Sequence, residues 1–219
     1  MCAIFGSFNR DTFIDLAELN SYRGQHSYSI SLYDTINQQL TVIRKEQGKF
    51  DCDGIEPDGK YLVGHIQAPT TAAKDMANIH PSYFDSSERA DWYTTGQSFL
   101  WHNGIIKEDM IKTMQLELDS KCQWDTRLLH EWYRTGKDLS DVDGTFSCLL
   151  YLNGLLYTFR NQISPMFWDE RMNISSTKFG GAQRTDANSV LYMDFVSNAM
   201  VSLKKFTTKE NPYYFANGA

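Results

Sequence analysis

Cys2 is the residue of this chain best suited to covalent chemistry, because it directly follows Met1. Aminopeptidases remove an initiator methionine readily when the second residue is small, and removal would leave Cys2 with a thiol and a free α-amine. These groups titrate near about 8.5 and about 8, so the amine can take the thiol proton at neutral pH, directly or through water. Cys2 is therefore a candidate nucleophile with its own base, although a lone cysteine at this position is more often a buried thiol.

Asn103, Gly104 and Asp125 are candidates for the same acyl chemistry. Asn103 offers a side-chain amide and Gly104 an unhindered backbone N–H, and two such donors at a strand end can form an oxyanion hole. Taken alone, Asn-Gly is more typical of a turn. Asp125 could bind a substrate ammonium, but taken alone it is a better candidate for a helix N-cap. Arg23 is a candidate for a structural ion pair.

The composition is that of a folded, acidic protein. Of the 219 residues, 42% are hydrophobic and 14% aromatic, which suits a substantial core and argues against disorder. The net charge of -6 gives no electrostatic support to nucleic-acid binding. No apolar run approaches the roughly 20 residues that span a bilayer. The amino terminus also lacks a signal-peptide pattern, so we expect neither nucleic acid nor membrane as a partner.

The cysteines do not show the paired spacing of a metal site. They are Cys2, Cys52, Cys122 and Cys148. Because they lie far apart, we interpret them as reduced thiols of a cytoplasmic protein. We expect no metal and no cofactor.

Hydrophobic periodicity predicts strands towards both ends of the chain and helices in the middle. The predicted strands are 2–9, 27–33, 39–44, 61–65, 97–101, 146–152, 155–159, 166–169, 173–176 and 190–194, and the predicted helices are 11–20, 107–118 and 125–136. We expect Asp11 to cap the first helix, Asn153-Gly154 to form a hairpin turn, and residues 69–96 to form a long binding loop or lid. This order favours an α+β fold of two antiparallel sheets with helices packed outside. We predict one domain, residues 1–219, with a loosely attached tail from about 205.

Several segments, in chain order, resemble the class II glutamine amidotransferases, which are glutaminase domains with an amino-terminal nucleophile. Residues 1–6 resemble the family opening Met-Cys-Gly-Ile-Phe-Gly, 23–27 resemble Arg-Gly-x-Asp-Ser, 64–70 resemble Gly-His-x-Arg-x-x-Thr, 78–81 resemble Asn-Ala-His-Pro, 102–106 match His-Asn-Gly-Ile-Ile, 125–126 match the start of Asp-Thr-Glu, and 143–146 and 160–165 resemble two later elements. The resemblance covers nearly the whole chain and is nearest to the glucosamine-6-phosphate synthase type.

The resemblance implies a four-layer αββα sandwich, the N-terminal-nucleophile hydrolase fold, with Cys2 at the end of the first strand. Cys2 would attack the side-chain amide of glutamine, and its α-amine would act as base and then as acid. Asn103 and Gly104 would stabilise the oxyanion. Water would release glutamate from the thioester, and the ammonia would pass to a second active site.

The resemblance also implies which residues bind the substrate. Asp125 would hold the substrate α-ammonium, with Thr70 nearby. Arg23, His80 and Gln67 stand at matching positions and are further candidate substrate-binding residues.

Gln67 is the most serious departure, since the family places there an arginine that binds the substrate α-carboxylate through both terminal nitrogens. Such a charged pair contributes about 1.5–3 kcal/mol, and Gln67 supplies no charge. Three explanations are open. Another cation, such as Arg127 or Lys74, replaces the arginine; or the substrate is an amide without a free carboxylate; or glutamine binding has been lost.

The sequence ends where the glutaminase domain of this family ends, so we expect ammonia to pass in trans to a partner protein with synthase or transferase activity. The acidic surface and the aromatic segment 81–101 are candidate contact regions. Two alternatives are an amidase or acyltransferase that acts on a different amide because of Gln67, and a catalytically silent binding or regulatory module.

Overall fold

A computed structural model describes residues 2–68, 78–85 and 97–209. The helices are α1 (Arg10–Asn20), α2 (Glu108–Glu117) and α3 (Asp125–Arg134). The strands are β1 (Ala3–Ser7), β2 (Ser27–Asp34), β3 (Gln39–Gln47), β4 (Tyr61–Gln67), β5 (Ser82–Phe84), β6 (Ser98–Ile106), β7 (Gly144–Leu152), β8 (Leu155–Arg160), β9 (Phe167–Trp168), β10 (Ile174–Ser175), β11 (Gln183–Arg184), β12 (Ser189–Asp194) and β13 (Ala199–Lys205). Among these residues, no helix is both long and apolar enough to cross a membrane.

The strands of the described residues form two antiparallel sheets. The first has the order β11-β9-β10-β1-β4-β2-β3, so that β1 is an interior strand between β10 and β4. The second has the order β13-β12-β8-β7-β6-β5. The candidate nucleophile therefore belongs to the first sheet, and the candidate oxyanion residues belong to the second.

Three apolar clusters show how the sheets and helices are layered. Helix α1 packs Phe13 and Leu16 against the outer face of the first sheet. Helices α2 and α3 pack residues such as Met114 and Leu128 against the outer face of the second sheet. The inner faces of the two sheets share the third cluster, which includes Trp101. The predicted four-layer αββα sandwich is confirmed.

Strand β4 is covered on both faces, and all seven of its residues are buried. Tyr61 and Val63 pack in the cluster between the sheets, whereas Leu62 packs against α1. Because side chains alternate along a strand, His65 and Gln67 also face the space between the sheets. This alternation brings two polar residues of β4 to the second sheet at the end of the molecule where Cys2 lies.

The predicted strand boundaries need corrections. Strand β6 does not end at residue 101 but continues to Ile106, since its pairing with β7 extends to Gly144. The sequence also does not predict β5, β11 or β13. The first two have only three and two residues, and β13 is largely exposed and lacks an apolar alternation. Most of the predicted loop 69–96 lies outside the described residues.

Both predicted helix caps are wrong. Helix α1 begins at Arg10, and its N-cap is Asn9, whose side chain accepts a hydrogen bond from the backbone N–H of Thr12 at 2.8 Å. The N-cap of α3 is Trp124, so Asp125 is the first helical residue. The carboxylate of Asp125 is thus not used as an N-cap.

The chain is attached beyond the predicted start of the loose tail. Phe206 is buried and stacks on Phe146 at a centroid distance of 5.9 Å. The backbone N–H of Thr207 donates to Ser140 Oγ at 2.9 Å. The prediction is therefore wrong for residues 205–207, and residues 210–219 lie outside the described part of the chain.

The close packing of β4 against α1 predicts that Gly64→Ala destabilises the fold. A Cβ at Gly64 would overlap the ring of Phe5 and lie 2.9 Å from Phe13 Cζ, and both rings are buried. We expect a loss of about 1–3 kcal/mol in the free energy of unfolding, measured by urea titration. Gly180→Ala is the matched control, because its Cβ would meet nothing within 4 Å. Equal stability of the two variants would contradict this packing.

Candidate active site

Cys2 lies immediately before β1, in the interior of the first sheet. Its side chain is only 7% exposed, and the thiol donates to the carbonyl oxygen of Ala68 at 3.6 Å. The pairing of β1 with β4 brings these groups together, since Ala3 lies opposite Ile66. The thiol is therefore held beside the carboxyl end of β4.

Gly24 lets a second segment approach the same place. A Cβ at this position would lie only 2.6 Å from Ala68 N. Its φ of 169° is ordinary extended backbone, so glycine is required by the close approach and not by a left-handed conformation. The turn that carries Arg23 thus packs against the end of β4.

The thiol of Cys2 is protonated at neutral pH. Burial raises its pKa to about 11, and the negative charge of Asp125 acts in the same direction. The hydrogen bond to Ala68, the positive charge of the amino terminus and the guanidinium of Arg23 oppose these effects but do not cancel them. A nucleophilic Cys2 therefore needs a base within reach, which is the role predicted for its own α-amine.

Asn103 and Gly104 lie within β6, so their interpretation as a turn is wrong. They are opposite Ser147 and Phe146 of β7. Asn103 is only 3% exposed. A Cβ at Gly104 would overlap the carbonyl group of Thr145, so the backbone approach permits only glycine here. Their role as oxyanion donors stays a prediction.

Asp125 is a buried carboxylate at the start of α3, with 5% of its surface exposed. Its Oδ1 accepts from the backbone N–H of Thr126 at 2.8 Å, and its Oδ2 accepts from Ile106 N at 3.4 Å. Oδ2 is also 3.9 Å from His102 Nδ1. A buried carboxylate whose charge acts on Cys2 is suited to bind a substrate ammonium.

The side-chain amide of Gln67 is occupied by bonds within the protein. Its Nε2 donates to Asn78 O at 3.1 Å, and its Oε1 accepts from Ser27 Oγ at 3.3 Å. Oε1 also accepts from the backbone N–H of His80 at 3.4 Å and from His80 Nδ1 at 3.1 Å. Because Asn78 O can only accept, these partners determine the orientation of the amide. Gln67 therefore connects β2 to the segment 78–80.

The same network determines which atoms of His80 and Thr126 carry hydrogen. Since Gln67 Oε1 is an acceptor, His80 carries its hydrogen on Nδ1, and its Nε2 accepts. The Thr126 hydroxyl lies 2.9 Å from that Nε2 and donates to it when the ring is neutral, although Asp125 Oδ1 is a second acceptor at 3.5 Å. The hydroxyl oxygen then accepts from His102 Nδ1 at 3.2 Å. Burial lowers the pKa of His80 well below its ordinary value, which agrees with a neutral ring.

His102 differs from the other buried rings because both of its nitrogens face acceptors. Its Nε2 is 3.3 Å from the carbonyl oxygen of Thr145, and its Nδ1 faces Thr126 and Asp125. Burial lowers the pKa of His102, whereas the charge of Asp125 and the bond to Thr145 oppose that shift. His102 therefore helps to orient the carboxylate of Asp125.

His65 connects the two sheets beside Cys2. Its Nε2 donates to the carbonyl oxygen of His102 at 3.2 Å, and its ring stacks on His80 with centroids 3.9 Å apart. Burial lowers the pKa of His65 to about 3, so the ring is neutral at neutral pH. The hydrogen bond joins β4, which neighbours the Cys2 strand, to the residue that precedes Asn103.

Arg23 is anchored by hydrogen bonds and not by an ion pair among the described residues. Its Nε donates to Thr177 Oγ1 at 2.9 Å, and its terminal nitrogen donates to Ser176 O at 3.2 Å. The ion-pair interpretation is therefore wrong for this part of the chain. The guanidinium still acts electrostatically on Cys2, as noted above.

The two cations considered as replacements for the family arginine have different outcomes. Arg127 donates to the carbonyl oxygen of Tyr83 and lies over the ring of Phe84, 3.4 Å from its centroid. These contacts anchor it to β5. Lys74 lies outside the described residues, as does the candidate substrate-binding residue Thr70.

Sequence reasoning did not find the roles of His65, His102 and Thr126. Each stands within a segment that resembles the family, but its contacts depend on how separate elements come together. His65 and His102 are 37 positions apart, and His80 and Thr126 are 46 apart. The only available signal is that strand alternation places His65 on the same face as Gln67.

Comparison with solved structures finds likeness over nearly the whole chain. A glutamine phosphoribosylpyrophosphate (PRPP) amidotransferase from B. subtilis, complexed with ADP and GMP, matches with a TM-score of 0.69 at 20% identity, over 96% of this chain and 50% of that chain. The allosteric regulatory enzyme of purine biosynthesis matches with a TM-score of 0.70 at 19% identity, over 95% of this chain and 50% of that chain. This chain thus spans about half the length of either neighbour. No protein-family model and no curated protein sequence matches it.

These neighbours establish the fold: two antiparallel sheets packed between helices, as in the glutamine PRPP amidotransferase. At 19% and 20% identity they establish no reaction for this chain. They do not support the glucosamine-6-phosphate synthase type to which the sequence is nearest, and that finer assignment stays a prediction.

The buried neutral histidines predict that stability falls in mild acid. His65, His80 and His130 are neutral because burial lowers their pKa values in the folded chain. Below the unfolded pKa of about 6.5 the unfolded chain binds more protons than the folded one, so stability is lost as pH decreases towards the folded pKa. Each ring contributes a slope of about 1.4 kcal/mol per pH unit in that window.

Urea unfolding of the wild type and His65→Phe between about pH 7 and pH 5 measures this effect. The variant removes one of the three titrating rings while retaining a planar side chain. We expect its free energy of unfolding to depend less steeply on pH than that of the wild type. Parallel pH profiles would show that His65 is not held neutral by folding.

The Thr126 hydroxyl is bonded to both His80 and His102, so Thr126→Val should be far more destabilising than Thr126→Ser. Valine leaves His80 Nε2 and His102 Nδ1 without their hydroxyl partner, and each buried unsatisfied group costs about 1–3 kcal/mol. Serine retains the hydroxyl and loses one methyl group, a cost of about 1 kcal/mol. Chemical denaturation of both variants measures the difference, and similar stabilities would refute the hydrogen bonds assigned to the Thr126 hydroxyl.

Proposed function

We propose that this chain is a class II amidotransferase-like enzyme that hydrolyses the side-chain amide of glutamine through a Cys2 thioester. The observation that carries the proposal is the approach of the Cys2 end of the first sheet to strand β6 of the second sheet. The Cys2 end of the first sheet is joined through His65 to β6, in which Asn103 and Gly104 follow His102. The fold shared with known glutamine amidotransferases supports the same reading.

Removal of Met1 precedes catalysis and provides the free α-amine of Cys2. The amine takes the thiol proton, and the thiolate attacks the carboxamide carbon. Asn103 Nδ2 and the N–H of Gly104 donate to the oxyanion of the tetrahedral intermediate. The α-ammonium then gives its proton to the departing nitrogen, which leaves as ammonia. Water attacks the resulting thioester and releases the carboxylate product and the free thiol.

The charges of the site suit these steps. In the chain that retains Met1, burial raises the pKa of the Cys2 thiol to about 11, and a buried thiol of this kind reacts only when a base takes its proton. The α-amine has an ordinary pKa of about 8 and is carried by the same residue. Asp125 pairs with the substrate α-ammonium and so places the carboxamide at Cys2. Arg23 acts on the site electrostatically through Cys2, and His80 acts through its hydrogen bond to Gln67.

The ammonia acceptor in this proposal is a separate partner protein with synthase or transferase activity. Its support is the family resemblance, in which the glutaminase reaction supplies ammonia to a second active site. The acidic surface expected from the net charge of -6 and the segment 81–101 stay the candidate contact regions. A cytoplasmic location stays a prediction from the unpaired cysteines.

Substitution of the nucleophile and of one oxyanion donor tests the proposal. Cys2→Ala should abolish release of ammonia from the side-chain amide of glutamine. Asn103→Ala should lower kcat by about 10²–10³-fold, because one oxyanion donor is lost. A coupled ammonia assay measures both. Cys52→Ala is the control, since this buried thiol packs in the cluster of α1. Full activity in Cys2→Ala, or an equal loss in Cys52→Ala, would refute the proposal.

A further inference from the structure

The side of the candidate site next to Cys2 is formed by groups that the hydrogen-bond network holds uncharged. Gln67 has its amide engaged by Ser27, Asn78 and His80. The two ring nitrogens of His80 are bonded to Gln67 and Thr126, and complete burial keeps the ring neutral. We call Gln67, His65 and His80 the neutral wall of the site.

The neutral wall is contiguous with the buried carboxylate. Thr126 follows Asp125 in α3, and its hydroxyl is bonded to His80, which is bonded in turn to Gln67. Asp125 and the neutral wall thus lie side by side. A ligand whose positive end pairs with Asp125 presents its adjacent groups to Gln67 and His80.

The charges that act on Cys2 from the described ranges are consistent with this reading. Asp125 is the anion, and Arg23 is the cation that opposes it. Arg23 is turned towards the segment after β10 by its bonds to Thr177 and Ser176. Besides burial, His102 and Lys45 both lower the pKa values of histidines in the neutral wall through their positive charge, and Lys45 donates to Pro81 O at 3.2 Å.

A free carboxylate would be poorly bound beside the neutral wall. Burial of an ionised carboxylate without a paired cation costs several kcal/mol, because the low dielectric does not replace its hydration. A neutral peptide group avoids that cost. Gln67 Nε2 carries two hydrogens, and within residues 2–68, 78–85 and 97–209 only Asn78 O takes one of them, so the second can be donated to a peptide carbonyl oxygen.

We propose that the amide donor is a glutamine residue at the amino end of a peptide, with its α-ammonium on Asp125 and its substituted α-carboxyl group against the neutral wall. This inference rests on the proposed function, since Cys2 is still the nucleophile. The reaction consumes one water and one side-chain amide, and it yields ammonia and the peptide with amino-terminal glutamate. The peptide bond itself is not cleaved.

A panel of four compounds tests the inference with the wild-type protein: L-glutamine, L-glutaminamide, L-glutaminylglycine and N-acetyl-L-glutaminamide. We expect kcat/KM for glutaminylglycine and glutaminamide to exceed that for free glutamine by at least about tenfold, which corresponds to about 1.4 kcal/mol. The N-acetyl compound lacks the ammonium and should react poorly. Mass spectrometry of the product distinguishes glutamylglycine from pyroglutamylglycine, which forms by spontaneous cyclisation with loss of ammonia and without water.

The outcomes separate this inference from the proposed function. Equal or faster Cys2-dependent hydrolysis of free glutamine would overturn the inference and leave the proposed function intact. No hydrolysis of any compound by protein that has lost Met1 would overturn both. Hydrolysis of the N-acetyl compound as fast as of glutaminamide would also overturn the inference, because it would remove Asp125 from recognition.

Two variants sharpen the result. Gln67→Arg introduces a guanidinium into the neutral wall and should shift the preference towards free glutamine; its thermal unfolding is compared with that of the wild type to exclude a general loss of structure. Lys74→Ala tests whether a lysine outside the described residues binds a carboxylate. We expect Lys74→Ala to keep the wild-type preference, and a selective loss of activity on free glutamine in this variant would contradict the inference.

Discussion

One buried hydrogen bond, from His65 Nε2 to the carbonyl oxygen of His102 at 3.2 Å, joins the two sheets at the candidate site. Strand β4, which carries His65, is the neighbour of the strand that follows Cys2, and His102 immediately precedes Asn103 in β6. A bond of this kind is expensive to break, because a buried carbonyl oxygen would lose its partner. The separation of the candidate nucleophile from the expected oxyanion donor therefore depends on the position of the His65 ring.

Neutrality continues along the network from His65 to Gln67. The rings of His65 and His80 stack. His80 is hydrogen-bonded to Thr126 at the start of α3, and Thr126 is bonded in turn to Asp125. The result is a site with one buried carboxylate and an uncharged side next to it. This arrangement raises the pKa of Cys2, suits the proposed binding of a substrate ammonium, and predicts a fold that is sensitive to acid. Recognition and stability thus have the same physical origin.

The fold was predictable because its signals are local. Apolar alternation marks the strands, and Asn153-Gly154 marks the hairpin of β7 and β8. The candidate role of Cys2 follows from its position behind Met1 together with the order of the downstream segments that resemble the family. The contacts of Gln67 were not predictable, because its partners Ser27 and His80 are 40 and 13 positions away and meet it only when the strands are in register. For Asp125 the local N-cap preference was misleading, since Trp124 occupies the cap.

The central claim, that Cys2 is a processed amino-terminal nucleophile, is tested most directly by intact-mass spectrometry. The purified protein is measured before and after exposure to 6-diazo-5-oxo-L-norleucine, a glutamine analogue that alkylates such nucleophiles, and to its α-carboxamide. The account predicts a chain that lacks Met1 and gains a single adduct, which is absent in Cys2→Ala. A chain that retains Met1, gains no adduct from either reagent, or is labelled equally in Cys2→Ala would contradict it.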